Sequence, residues 1–171
     1  MVDAGEKQQP TVTPSGERLI ELPHGVSIRP LNTHVDDRGW LLELFNPLWG
    51  WHPEPLVHAY ITTVRPGVIK GWGRHARTED RYGVLFGEAL TVLYDDRPDS
   101  PTRGHVTEVP LSEYHRCLIN IPAGIWHAVS NLATRDFVFI NFKTTPFDSA
   151  DPDKFTLPID TDQIPYRFPR R

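Results

Sequence analysis

The 171-residue sequence holds a single cysteine, Cys117, so no internal disulfide can form and cysteine-built zinc sites are excluded. Its one methionine is Met1. No apolar run comes near the roughly 20 residues that a membrane helix needs. No ten-residue window carries a 3.6-residue apolar period. Positive charge is not in excess either: the formal net charge is −4, which removes the electrostatic footprint of a duplex-binding protein. The first residues lack the apolar core of a secretory signal, so a cytoplasmic location is expected. What the chain does have is proline, 17 residues, roughly twice the usual share of about 5%. With 12 glycines spread among them, long helices are not expected.

Residues 1–16 are polar and without periodicity, and read as a mobile tail. Residues 17–171 read as one domain, since no linker or repeat divides them. Eleven short apolar runs follow, broken by Gly, Pro, Asp and Asn: 18–22, 25–29, 39–45, 56–64, 67–71, 82–86, 89–94, 105–110, 117–121, 126–130 and 136–143. Their spacing is that of an all-β sandwich or barrel. Phe137, Phe139 and Asn141 alternate with Val138, Ile140 and Phe142, as on a strand. Segment 148–160 has room for one short helical turn. So many short strands hide their edges best in a double-sheet jelly roll or a closed barrel, with a cavity between the layers.

Two stretches could line that cavity. Pro122-Ala123-Gly124-Ile125-Trp126-His127 makes a tight turn and then a strand that aims His127 inward. Gly67 to Gly87 contains Gly73, His75, Glu79 and Asp80, and its resemblance to the first cupin motif, in which an acid precedes a Gly, slightly favours Asp80 over Glu79 by the spacing to Gly87. His75 lies two residues from Gly73, so both face one way on a strand. His75, His127 and Asp80 or Glu79 could form two-His-one-carboxylate ligation for Fe, Zn or another divalent metal. His75 and His127 could instead serve as acid–base groups. Trp72 and Trp126 flank the two motifs and could stack on a ring of a ligand. Arg38, Lys70 and Arg74 could hold a pyrophosphate. Tyr60, Tyr82 and Tyr94 fall on expected strands and could supply an acid. Cys117 reads as a small buried apolar residue. His34, His52, His58, His105 and His115 follow no ligand spacing and read as surface or capping groups.

The two stretches resemble the paired motifs of cupins, and the wider pattern resembles the dTDP-4-dehydrorhamnose 3,5-epimerases and their ketoisomerase relatives. Its landmarks run in order over about 28–168: Asp37-Arg38-Gly39-Trp40-Leu41-Leu42-Glu43, Gly67-Val68-Ile69-Lys70-Gly71, Gly87-Glu88, Asp99-Ser100-Pro101-Thr102, Ile121-Pro122-Ala123-Gly124 with His127, and Ile164-Pro165-Tyr166. The resemblance implies a single-domain double-stranded β-helix (cupin jelly roll) that forms a homodimer with strands shared between subunits. It also implies acid–base work on nucleotide-linked 4-keto-6-deoxy sugars without a metal. It places Arg38 and Glu43 among the substrate-binding groups, with Arg38 acting at the partner's site. The sequence departs from the family where the chemistry lies. Laid down without a gap, the catalytic His position is Gly73, and the positions expected to carry the acidic Tyr are Phe142 and Phe147. Asp160 and Asp162 fall near the Asp that orients that His. Three readings follow: a diverged sugar-nucleotide epimerase or isomerase using His75 and His127, a metal-dependent cupin, and a ligand-binding cupin without catalysis.

Overall fold

The computed structural model describes residues 5–16 and 18–169. Among them, twelve strands follow in chain order: β1 (Ser27–Pro30), β2 (Thr33–Asp36), β3 (Gly39–Leu42), β4 (His58–Val64), β5 (Ile69–Arg74), β6 (Asp80–Phe86), β7 (Glu88–Asp95), β8 (Val106–Ser112), β9 (Cys117–Ile121), β10 (Ile125–Ser130), β11 (Phe137–Lys143) and β12 (Phe155–Thr156). One five-stranded sheet has the order β1-β9-β6-β11-β4 and a second the order β12-β5-β10-β7-β8. β2 and β3 form a separate hairpin. Among the described residues the helical content is one 3₁₀ turn at Pro47–Trp49.

Period-two burial puts the core between the sheets. In β11 every second residue from Phe137 to Lys143 is buried. Tyr82, Val84, Phe137 and Phe139 of one sheet pack on Leu93, Val109, Ile125 and Val129 of the other. Cys117 belongs to this cluster, and burial pushes its thiol up to about 11. β10 is buried along its whole length, because its second face is covered too. Trp72, Trp126 and Ala128 point outward there and pack against Ile164, with Tyr166 and Phe168 against the same cluster. The C-terminal segment thus roofs the outer face of the second sheet.

Ten of the eleven runs read from the sequence become strands. Run 18–22 does not: Arg18 makes one isolated bridge with Val12, and the Glu21 carbonyl accepts from the Thr107 hydroxyl. Segment 148–160 forms β12 rather than a helical turn. Phe155 and Thr156 find free ladder positions on β5, opposite Arg74 and Gly73. β2 has no counterpart among the apolar runs, because all four of its residues are exposed and give no alternation.

Close approach of β5 to β10 depends on Gly71. Its φ is +143°, and a Cβ there would lie 2.4 Å from Ala128 Cβ and 2.6 Å from Ala128 Cα. Gly71→Ala is therefore expected to cost at least about 2 kcal/mol of stability, from backbone strain and overpacking together. Urea denaturation checks this; an unchanged midpoint would contradict the packing described.

Candidate functional site

The two sheets open at one end, where β6 begins, β11 ends and β5 runs into a loop. Register brings two pairs of positions together there. Lys143 of β11 lies opposite Asp80 of β6 in one sheet, and His127 of β10 lies opposite Gly73 of β5 in the other. Asp80, Lys143 and His127 share the inward face with the core residues Tyr82, Phe139 and Val129, which lie two positions along β6, four along β11 and two along β10.

Asp80 is buried and central. Its Oδ1 accepts from Lys143 Nζ and from Asn141 Nδ2, the latter at 2.8 Å. Its Oδ2 lies 3.2 Å from His127 Nε2 and 3.5 Å from His75 Nε2. Burial works to raise its pKa. The charges of His127, Lys143 and His75, with the Lys143 hydrogen bond, outweigh burial and hold it below the usual carboxylate range.

The hydrogen bonds fix the form of His75. Its Nδ1 meets the backbone carbonyl of Asp153, which can only accept, so Nδ1 carries the proton. Nε2 then accepts from Lys143 Nζ at 2.8 Å. Burial lowers the pKa of this ring, and Asp80 and Lys143 act on it in opposite directions. The Asp153 carboxylate accepts from the backbone N–H groups of Ala76, Arg77 and Thr78 at 3.0, 3.0 and 2.8 Å, and so pins the loop that carries His75. Burial works to raise Asp153, but these bonds hold it down at about 2.

His127 faces two acceptors, the Ile125 carbonyl at 3.1 Å from Nδ1 and Asp80 from Nε2. A neutral ring donates to one of them and an imidazolium to both. Burial lowers its pKa to about 4 against the pull of Asp80. The ring is neutral at pH 7, with a place prepared for a second proton. The two imidazole planes lie 6.3 Å apart by their centroids and nearly parallel.

A cavity of about 570 Å³ opens over this cluster, lined by His58, Tyr60, His75, Lys143, Phe147 and Lys154 among others. Tyr60 accepts from Asn141 Nδ2 at 2.8 Å, which leaves its own O–H free to donate. Burial and the Asp80 charge raise its pKa, so it stays protonated at neutral pH.

Several residues singled out from the sequence lie elsewhere. Trp72 and Trp126 are on the outer face of the second sheet, beneath the C-terminal segment. Arg74 is stacked there on Trp126 and Phe155, at 5.0 and 4.9 Å. Strand parity is the reason: with Gly73 and His127 inward, their neighbours face out. Glu79 alternates away from Asp80 and pairs with Arg81 at 3.2 Å, beside His52. Arg38 sits at the tip of the β2–β3 hairpin, paired with Asp36. Glu43 is exposed and accepts from Asn46. Lys70 is exposed, and none of these three lines the cavity of this chain. Tyr82 is buried in the core against Phe139, and Tyr94 packs with the outer cluster. Phe142 faces outward onto Phe45. His58, read as a surface group, lines the cavity.

The donor set does not suit a metal. Lys143 already places an ammonium against Asp80 Oδ1 and His75 Nε2, and Glu79 points away. Among the described residues no three His, Cys, Asp or Glu side chains are arranged to hold an ion.

The lowered His127 makes stability depend on pH. Between about pH 6.5 and 4 the unfolded chain takes up a proton that the folded ring refuses, so stability falls on acidification. One such proton contributes a slope of about 1.4 kcal/mol per pH unit. Urea unfolding at pH 7, 6 and 5 is expected to show this decline, and His127→Gln to flatten it. A slope unchanged by the substitution would contradict the buried neutral ring.

Comparison with known proteins places this geometry in context. The profile of the dTDP-4-dehydrorhamnose 3,5-epimerase family matches residues 20–163. The probable low-salt glycan biosynthesis epimerase of Haloferax volcanii is 33% identical over 138 residues, 80% of this chain and 88% of that protein. The crystal structure of a dTDP sugar isomerase from Desulfovibrio desulfuricans superposes with a TM-score of 0.78 at 23% identity, over 84% of this chain and 90% of that one. The dTDP-6-deoxy-D-glucose-3,5-epimerase of Legionella pneumophila, in complex with dTDP-4-keto-L-rhamnose, gives 0.72 at 24% identity, over 84% and 78%. The fold is thus the cupin-like jelly roll that the sequence pattern implied. The extent of the profile match and the identity to the Haloferax protein decide the assignment: the chain belongs to the dTDP-4-dehydrorhamnose 3,5-epimerase family.

Proposed function

We propose that the protein is a sugar-nucleotide epimerase or isomerase that removes and returns a proton beside the ketone of a dTDP-linked 4-keto-6-deoxy sugar. The observation that carries this reading is His75: a neutral imidazole, its tautomer set by the Asp153 carbonyl, with Nε2 turned to Lys143 on the cavity wall. A base needs an unprotonated nitrogen at working pH, and the lowered pKa supplies it. Tyr60, protonated and free to donate, is the acid that Phe142 and Phe147 are not. His127 acts through Asp80, as a second site for the proton once the base has taken it. Membership of the family supports the substrate class. No step is assigned to a metal, for the ammonium of Lys143 holds the place of the cation.

Solvent exchange tests this directly. In D₂O, the wild type is expected to introduce deuterium next to the ketone of a dTDP-linked 4-keto-6-deoxyhexose, as read by NMR. His75→Ala is expected to lower the rate at least about 10²-fold, and a chelator to leave it unchanged. Wild-type protein that melts higher with dTDP yet exchanges nothing would make it a binder without catalysis. Activity lost to the chelator and restored by Fe, Zn, Mn or Ni would favour the metal-dependent reading.

Assembly bears on the same function. The β2–β3 hairpin exposes Val35, Trp40 and Leu41 to 76, 53 and 62%, an apolar surface carried on a two-stranded ribbon. β4 closes its sheet as an unpaired edge, with Ile61 exposed. We infer a homodimer in which each hairpin covers the partner and brings Arg38 toward the phosphates bound there. Sedimentation is expected to give twice the 19.5 kDa chain mass, and Val35→Asp to shift the protein toward monomer. A wild-type monomer at micromolar concentration would contradict this.

A further inference from the structure

Glycine at position 73 leaves room beside the imidazoles, and a side chain from another part of the chain fills it. A Cβ on Gly73 would lie 3.7 Å from His127 Nε2, so the position faces the cluster. It would also lie 3.2 Å from Lys154 Cε and 3.9 Å from Lys154 Nζ. The alkyl chain of Lys154 therefore rests where a residue-73 side chain would begin, and its ammonium ends in the cavity.

That placement is built by the residues on either side. Asp153 is tied to the 76–78 backbone by three hydrogen bonds, and Phe155 is in register with Arg74 on β5. Lys154 is held between two anchors one residue away on each side. It is also uncommitted. Lys143 is engaged with Asp80 and His75, and Arg77 with Asp151 and Asp153. Among the described residues no hydrogen bond or ion pair engages the Lys154 ammonium, although it stands over a buried cluster and beside two paired cations. Lys154 is exposed, so at the cavity mouth its backbone is anchored while its ammonium has its donors available to a ligand oxygen.

We propose that Lys154 is a substrate-contacting residue that donates to the ketone oxygen of the bound sugar and to the enolate formed there. This rests on the keto-sugar reading of the cavity. The step balances without a further reactant. Lys143 turns its donor from His75 Nε2 to Asp80. The C–H bond beside the ketone breaks, and its proton passes to the freed lone pair of His75 Nε2. Its electron pair forms the C=C bond, and the carbonyl π pair moves onto oxygen, where the Lys154 N–H holds the charge. Return of a proton to carbon, from Tyr60 on the other face or from His75 on the same one, restores the ketone. Lysine at 154 thus adds to the site a donor that glycine at 73 lacks.

The test is solvent-deuterium exchange with the full-length protein and a dTDP-linked 4-keto-6-deoxyhexose, alongside dTDP binding. Lys154→Met keeps the packing on Gly73 and removes the charge. It is expected to lower the exchange rate at saturation about 10²-fold, the usual scale for loss of one oxyanion donor, while dTDP affinity stays within about twofold of wild type because dTDP carries no ketone. Gly73→Ala is expected to slow exchange several-fold by crowding Lys154, and to have no further effect once Lys154→Met is present. Exchange by Lys154→Met within about threefold of wild type, or additive effects of the two substitutions, would overturn the role of Lys154 and leave the keto-sugar reading standing. Wild-type protein that exchanges nothing would overturn both.

Discussion

A buried ion pair organises the open end of this jelly roll. Asp80 and Lys143 sit opposite each other on neighbouring strands, both turned inward and almost wholly removed from water. Neither charge could stand there alone, since an unpaired ion at such a position costs several kcal/mol. The pair is tolerated because both ions have further polar partners. Asn141 and the two imidazoles complete the surroundings of the carboxylate, and His75 takes a second hydrogen bond from the ammonium. Burial keeps the two imidazoles neutral against the pull of Asp80, Lys143 sides with burial, and Asn141 links Tyr60 to the same carboxylate oxygen.

The same arrangement explains how a cupin-like site with two histidines and a carboxylate differs from one built for a metal. A metal ion needs the lone pairs of all three donors converging on one point. Here a covalently attached cation takes two of those lone pairs, and a hydrogen bond to the Ile125 carbonyl orients the second histidine. A fixed ammonium supplies positive charge and N–H donors without ligand exchange, which suits stabilisation of a developing oxyanion. The loss of a side chain at Gly73 has a structural counterpart in the strap before β12, where Asp153 orients one histidine and Lys154 occupies the vacated volume.

Much of the architecture was legible in the sequence because strands buried on one face alternate. Apolar runs located ten of the twelve strands, and the motifs around Gly73 and Pro122 pointed to both imidazoles. The alternation that assigns Phe137, Phe139 and Asn141 to one face also assigns Lys143 to it, two residues on. Phe142, at a position where the family pattern has Tyr, has the opposite parity and faces Phe45. Parity likewise misplaced Trp72, Trp126 and Arg74: they adjoin inward residues in sequence, and for that reason point out of the sandwich. β12, Asp153 and Lys154 carried no local signal at all. Two strand residues cannot show a period, and a proline-flanked polar segment reads as loop until β5 offers it an edge.

The protonation states of the two imidazoles test the central claim most directly. Long-range ¹⁵N–¹H correlation spectra, followed from pH 8 to pH 4 with His75 and His127 assigned by substitution, read both tautomer and titration. The structure predicts His75 as the neutral Nδ1–H tautomer with a midpoint below the ordinary value of about 6.5, and His127 titrating near 4. An Nε2–H tautomer at His75, or either ring titrating at or above 6.5, would contradict a cluster held together by the Asp80–Lys143 pair.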